Sequence, residues 1–127
     1  MTAQSVITIM GRVLLALLFI LAGVAKLANP DPFLAHMAQF GVPGFLLPAV
    51  ALLEVGAGAA VLAGWRLRYS AGVLAVFCIL AAVIFHSKLG IPAERTLFLK
   101  DIALAGALMV IAAVAGRSVW GIESLQK

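Results

Sequence analysis

Four long apolar runs, separated by short polar or proline-bearing stretches, dominate the chain. The first, residues 6–28, ends at Asn29-Pro30-Asp31-Pro32, a sequence that stops a helix and turns the chain. The second, residues 44–64, opens behind Pro43 and is followed by Trp65-Arg66-Leu67-Arg68-Tyr69, a basic turn with aromatics of the kind that sits at a membrane interface. The third, residues 70–89, carries His86 and Lys88 near its end and breaks at Gly90-Ile91-Pro92. The fourth, residues 96–116, has Lys100 and Asp101 near its start, and Arg117 and Trp120 mark its exit. Each run is apolar all round rather than striped, as helices in lipid or in a deep core are. About 20 such residues cross a hydrocarbon layer of ~30 Å. No stretch alternates with period two over the ~10 residues that a barrel strand needs. The pattern predicts an all-α, polytopic membrane protein: a four-transmembrane-helix bundle, one domain over residues 1–127, with both termini on the same side. The longest connection, residues 28–43, contains His36, Met37 and Phe40 and is predicted to lie along the membrane surface.

Composition narrows the alternatives. The chain is 65% hydrophobic and 11% charged, with a mean hydropathy of +1.18; soluble domains run at about 45–50% and about 25%. A soluble globule, a disordered chain and a disulfide-stapled module are excluded. The net charge of +4 does not point to nucleic acid, because the basic residues are scattered at the ends of apolar runs, where cations meet headgroups. Residues 1–11 hold no basic residue, so the first run reads as a span rather than a cleaved signal peptide. One cysteine allows no intramolecular disulfide and no CxxC pair, which excludes the four-helix quinone-coupled disulfide enzymes, whose chemistry is thiol exchange. Cys78 is mid-span and predicted to be buried and inert. There is no HExxH, GxxxxGK or GxSxG, hence no self-contained catalytic motif. His36 and His86 are poorly placed for a bis-His haem. A metal site would have to be built from His86, Glu54, Asp101 and His36, which no ligand spacing supports, and none is predicted. Four spans place Arg12, Arg66, Arg68, Arg117 and Lys127 on one side and Lys26, Lys88, Arg95 and Lys100 on the other. Setting aside Arg12, Lys26 and Lys100, which lie inside runs, the positive-inside rule puts both termini in the cytoplasm.

The few charges inside the runs are the informative ones. A charge at the bilayer centre costs about 2.5–3.5 kcal/mol on insertion scales, and such residues usually face the bundle interior, pair and mark function. Glu54 is the clearest case: it lies mid-span and is too short to reach headgroups. Lys26, His86, Lys100 and Asp101 all fall near the face away from the termini, because the spans alternate in direction. Arg12 lies toward the opposite face; Arg12, Phe19 and Lys26 are spaced by sevens and share one side of their helix. Arg12–Glu54 and Lys26–Asp101 are the pairs that depth along the spans allows, Arg12 and Glu54 differing by about four residues or ~6 Å. Plainer roles compete. Lys26, Lys88 and Lys100 can snorkel to headgroups, Asp101 can be a first-turn acid on a helix dipole, and His86 can be an interfacial histidine. Small residues also crowd the spans. Gly56 with Ala60, and Ala103 with Ala107, make small-xxx-small pairs that let helices approach closely in lipid.

Phe19-x-x-Ala22-Gly23-x-x-Lys26, Met37-x-x-x-Gly41-x-Pro43, Glu54 with the glycine-rich stretch to Gly64-x-Arg66, Phe85-His86, and Phe98-x-Lys100-Asp101-x-Ala103-x-x-Gly106 together resemble the DoxX family of small bacterial inner-membrane proteins. The resemblance runs over residues 10–115. It implies four helices in a bacterial inner membrane and, more loosely, a link to the redox metabolism of quinones and thiols; relatives look like the membrane subunit of a quinone-linked oxidoreductase. Members often carry Asn where this chain has Asp101. Three readings follow. The protein binds a quinone or other small hydrophobic ligand, with Glu54 carrying a proton and Lys26, His86, Lys100 and Asp101 forming a polar mouth. Or it is a membrane scaffold that anchors a soluble redox enzyme through Arg66, Arg68 or the tail from Arg117. Or it is a small proton-coupled transporter using Glu54, which the near-even split of basic residues would suit in dual topology; a homodimer is open in every reading. The lipid bilayer is its partner in each.

Overall fold

A computed structural model describes residues 2–115; Arg117, Trp120 and Lys127 lie outside the described residues. Among these residues the chain is helical, in the order α1 (Ala3–Ala28), α2 (Asp31–Gln39), a 3-10 turn (Gly44–Leu46), α3 (Leu47–Ala63), α4 (Leu67–Phe85) and α5 (Pro92–Ala115). Four of these helices, with the 3-10 turn continuing into α3, are long and apolar enough to cross a membrane.

Local chemistry sets the ends. The Thr2 side chain accepts a hydrogen bond from the Ser5 amide at 3.1 Å and caps α1, which therefore starts three residues before the apolar run does. Asn29-Pro30 stops α1, and the expected surface connection is a helix of its own, α2, which ends at Gln39 and is followed by a turn at Gly41 with φ +70°. The α3 C-terminus closes on Gly64 at φ 76°, with Trp65 N–H donating to the Ala60 carbonyl at 2.9 Å and Gly64 N–H to that of Val61 at 3.2 Å. That is the double carbonyl capture for which a left-handed glycine is suited. Arg66 follows at φ 44°, so the chain reverses in three residues and α4 starts at Leu67 rather than Ser70. The same helix stops at Phe85, four residues before the apolar run ends, leaving His86 as its cap and Lys88 in the turn. Pro92 opens α5 four residues early, because its fixed φ suits the first helical position and its missing N–H costs nothing there.

Packing is pairwise. α1 lies along α3 and α4 along α5, with a thinner seam between α3 and α4. The close approach of α1 and α3 is made by Gly23, where a Cβ would fall 2.6 Å from Val55 Cγ2 and 2.8 Å from the Ala51 carbonyl oxygen, and by Gly58, which faces Ile20 and Phe19. Gly56 was the expected contact, yet a Cβ there would meet nothing within 4 Å, because it sits some 200° around the helix from Gly58 at ~100° per residue. The inner seam holds Ala16, Phe19, Val61, Leu74, Ala75, Cys78 and Leu108, in one cluster. The outside is apolar. Ile7, Leu14 and Leu21, spaced by sevens, turn outward from α1, whereas Arg12 and Phe19 of the other heptad row are buried. Such an outside belongs in hydrocarbon, where apolar exposure carries no penalty.

Candidate functional site

The polar side chains gather at the end of the bundle away from Ala3, under α2. Glu54 on α3 is almost wholly buried, and Lys26 Nζ on α1 reaches its Oε1 at 2.6 Å. The contacts of Gly23 and Gly58 fix the register: residues 51–55 of α3 lie beside residue 23 of α1, and Gly58 beside residues 16–20. Glu54 therefore stands level with about residue 22, one turn short of Lys26. Arg12 is some ten residues, or ~15 Å, away along the axis at 1.5 Å per residue. This corrects the expected Arg12–Glu54 pairing. Depth along the sequence treats both spans as beginning at one level, whereas the Gly23 and Gly58 contacts offset α3 along α1.

The expected Lys26–Asp101 pair is corrected as well. Asp101 on α5 faces His86, its Oδ2 3.8 Å from Nε2, and the other ring nitrogen, Nδ1, lies 3.1 Å from Oε2 of Glu94. One imidazole thus stands between two carboxylates, hydrogen-bonded to Glu94 and within ionic range of Asp101. Because α5 starts at Pro92, its first-turn acid is Glu94, where a carboxylate also meets the helix dipole favourably. Asp101 lies two turns further along α5 and faces His86.

α2 closes over this end with aromatic contacts. His36 stacks on Phe85 with ring centroids 5.2 Å apart and lies 5.1 Å from Phe40 and 6.4 Å from His86. Phe40 meets Phe85 edge-on at 5.4 Å. Lys26 passes over the Phe33 ring at 5.0 Å, so its ammonium is held between an aromatic face of α2 and the Glu54 carboxylate. Lys88 stands over Phe40 at 5.9 Å.

The structure thus brings together Lys26 with Glu54, and His86 with Asp101, at one end. It leaves two sequence candidates outside these pairs. Lys100 is exposed and makes no ion pair among the described residues. Arg12 is buried toward the opposite end, where it lines a groove of about 660 Å³ between α1 and α5 with Thr8, Leu15, Ala107 and Ile111. Sequence reasoning missed Glu94, and it took His36 and His86 to be poorly placed together, whereas their rings lie 6.4 Å apart. Glu94 was findable as an acid two residues after a helix-opening proline, and His36 with Phe40 as an i, i+4 pair. Among the described residues no group of three or more His, Cys, Asp or Glu is arranged to hold a metal ion.

The DoxX family model matches residues 7–87, which include Lys26, Glu54, His36 and His86 but stop short of Glu94 and Asp101. Inner membrane protein YqjF of Escherichia coli (strain K12) is 34% identical over 122 residues, 96% of this chain and 93% of that protein. No solved structure matches.

Proposed function

The chain belongs to the DoxX family of membrane proteins, and from that premise we propose that it is a bacterial inner-membrane protein of redox metabolism. In this reading it binds a small hydrophobic ligand of the quinone class, exchanging protons with it at the α2 end of the bundle. The observation that carries the reading is the Lys26–Glu54 pair at 2.6 Å between two membrane helices. A buried ion pair is weak as a source of stability and strongly destabilising when one partner is lost, and ionisable groups inside the membrane are costly enough to be kept for a purpose. A ligand carbonyl suits such a pair. Lys26 has two further N–H groups to donate, Glu54 can give or take a proton, and Phe33 offers a ring face for stacking. His86, between Glu94 and Asp101, supplies a second proton-exchanging group nearer the aqueous end. The quinone class comes from the family resemblance. The proton chemistry comes from the residues.

Binding of a quinone analogue to purified protein tests this. Wild type should bind, and Glu54→Gln, which keeps a hydrogen-bonding partner for Lys26, should remove the pH dependence of binding or weaken it about tenfold or more. If wild type binds no quinone analogue, or Glu54→Gln binds with the same affinity and the same pH profile, the reading is wrong.

A further inference from the structure

Away from that site, one groove joins positive charge to an apolar slot. It has a volume of about 580 Å³ and runs down the outer side of the α3–α4 seam. Arg68 and Tyr69 stand at its head; Gly72, Val73, Val76 and Leu80 follow along one stripe of α4, and Leu53 of α3 forms part of the other wall. Trp65 and Arg66 flank the head, with the Arg66 guanidinium 5.2 Å from the Trp65 ring centre. Arginine and aromatic side chains at the end of a span lie at headgroup level. From Arg68 to Leu80 is twelve residues, ~18 Å of helix, against ~15 Å for half a hydrocarbon core. The groove therefore reaches from the headgroups to about mid-membrane, the reach of one acyl chain. Its floor is open at Gly72, where a Cβ would meet nothing within 4 Å. No acidic residue lines it.

We propose that this groove is a binding site for one anionic phospholipid. The acyl chain lies along the Gly72–Leu80 stripe against Leu53. The phosphate takes the Arg68 guanidinium, with Arg66 adding charge and the Tyr69 hydroxyl donating a hydrogen bond. Charge complementarity selects this occupant over a second copy of the chain. A two-fold dimer through this face brings the same patch on both copies together, and so sets Arg66 and Arg68 against their own counterparts, where like charges oppose docking.

Native mass spectrometry of the detergent-purified protein tests the site, with phosphatidylglycerol or phosphatidylcholine of matched chains and with inorganic phosphate as the headgroup-only control. Wild type should retain phosphatidylglycerol at markedly lower concentration than phosphatidylcholine, and inorganic phosphate should not displace it. Arg68→Gln should lower the preference for phosphatidylglycerol about fivefold, the weight of one basic residue near an anionic lipid surface, and leave phosphatidylcholine unchanged. Gly72→Leu fills the slot and should weaken both lipids alike. Both positions are on the lipid side of the helix, and unchanged helical circular dichroism confirms that the variants fold. Equal retention of the two lipids by wild type overturns the proposal. So do wild-type lipid binding in both variants, displacement by inorganic phosphate, and a dimer that Gly72→Leu splits.

Discussion

The Lys26–Glu54 pair is the residue-scale feature with the largest consequence. Lys26→Met leaves a carboxyl buried without its cation, which costs about 3–5 kcal/mol where a buried pair is broken. Thermal unfolding in detergent should fall well below wild type for Lys26→Met and recover in Lys26→Met/Glu54→Met, which replaces the pair by apolar groups. Recovery of stability without recovery of ligand binding would separate the pair's chemical role from its structural one; a double variant no more stable than the single one would show that the pair does not act as a unit. Glu54, Lys26, His86 and Asp101 were legible in the sequence because each interrupts an apolar run where a charge is expensive. Who pairs with whom was not legible. Pairing depends on how far one helix slides along another, and that offset is fixed by the close contacts at Gly23 and Gly58, which composition does not measure.

At the scale of elements, the spans themselves were readable because a membrane demands long uninterrupted apolar helices. Their ends moved where capping chemistry outweighed hydropathy: Thr2 and Pro92 start helices early, and His86 falls outside α4. α2 was read only as a surface connection, since nine residues with mixed polarity carry little periodic signal. Its role rests on His36, stacked on Phe85, and Phe33, beneath Lys26. His36→Ala removes the stacked contact, worth about 0.5–1.5 kcal/mol for an aromatic pair. Amide exchange within Asp31–Gln39 should then quicken about two- to tenfold while exchange in α4 and α5 stays the same; unchanged protection of Asp31–Gln39 would show that α2 is held by other contacts. The glycines make a sharper pair of tests. Gly23→Ala forces a Cβ against Val55 and the Ala51 carbonyl and should destabilise by about 1–3 kcal/mol, as overpacking does. Gly72→Ala points into open space and should be neutral or stabilising by up to about 1 kcal/mol from helix propensity. Equal melting temperatures for these two variants would contradict the α1–α3 approach.

At the scale of the whole molecule, the two ends of the bundle differ in kind. The end bearing Ala3 and the α3–α4 turn holds Arg66, Arg68, Trp65 and Tyr69, a headgroup-facing surface. The opposite end holds the Lys26–Glu54 and Glu94–His86–Asp101 groups under α2. Orientation therefore decides which aqueous compartment exchanges protons with the site. The positive-inside rule, applied to Arg66, Arg68, Arg117 and Lys127 against Lys88 and Arg95, favours a cytoplasmic Ala3 end and an outward-facing His86. Cys78 is buried and the only cysteine, so Cys78→Ala gives a clean background for single cysteines at Gln4 and Gly90, both exposed. A membrane-impermeant maleimide applied to intact cells should label Gly90→Cys, and should label Gln4→Cys only after permeabilisation. The reverse pattern turns the site toward the cytoplasm. Half-labelling of both from outside means that copies insert in both orientations, which suits the transporter reading and not a one-sided proton-exchanging site, so the same experiment weighs the two functions.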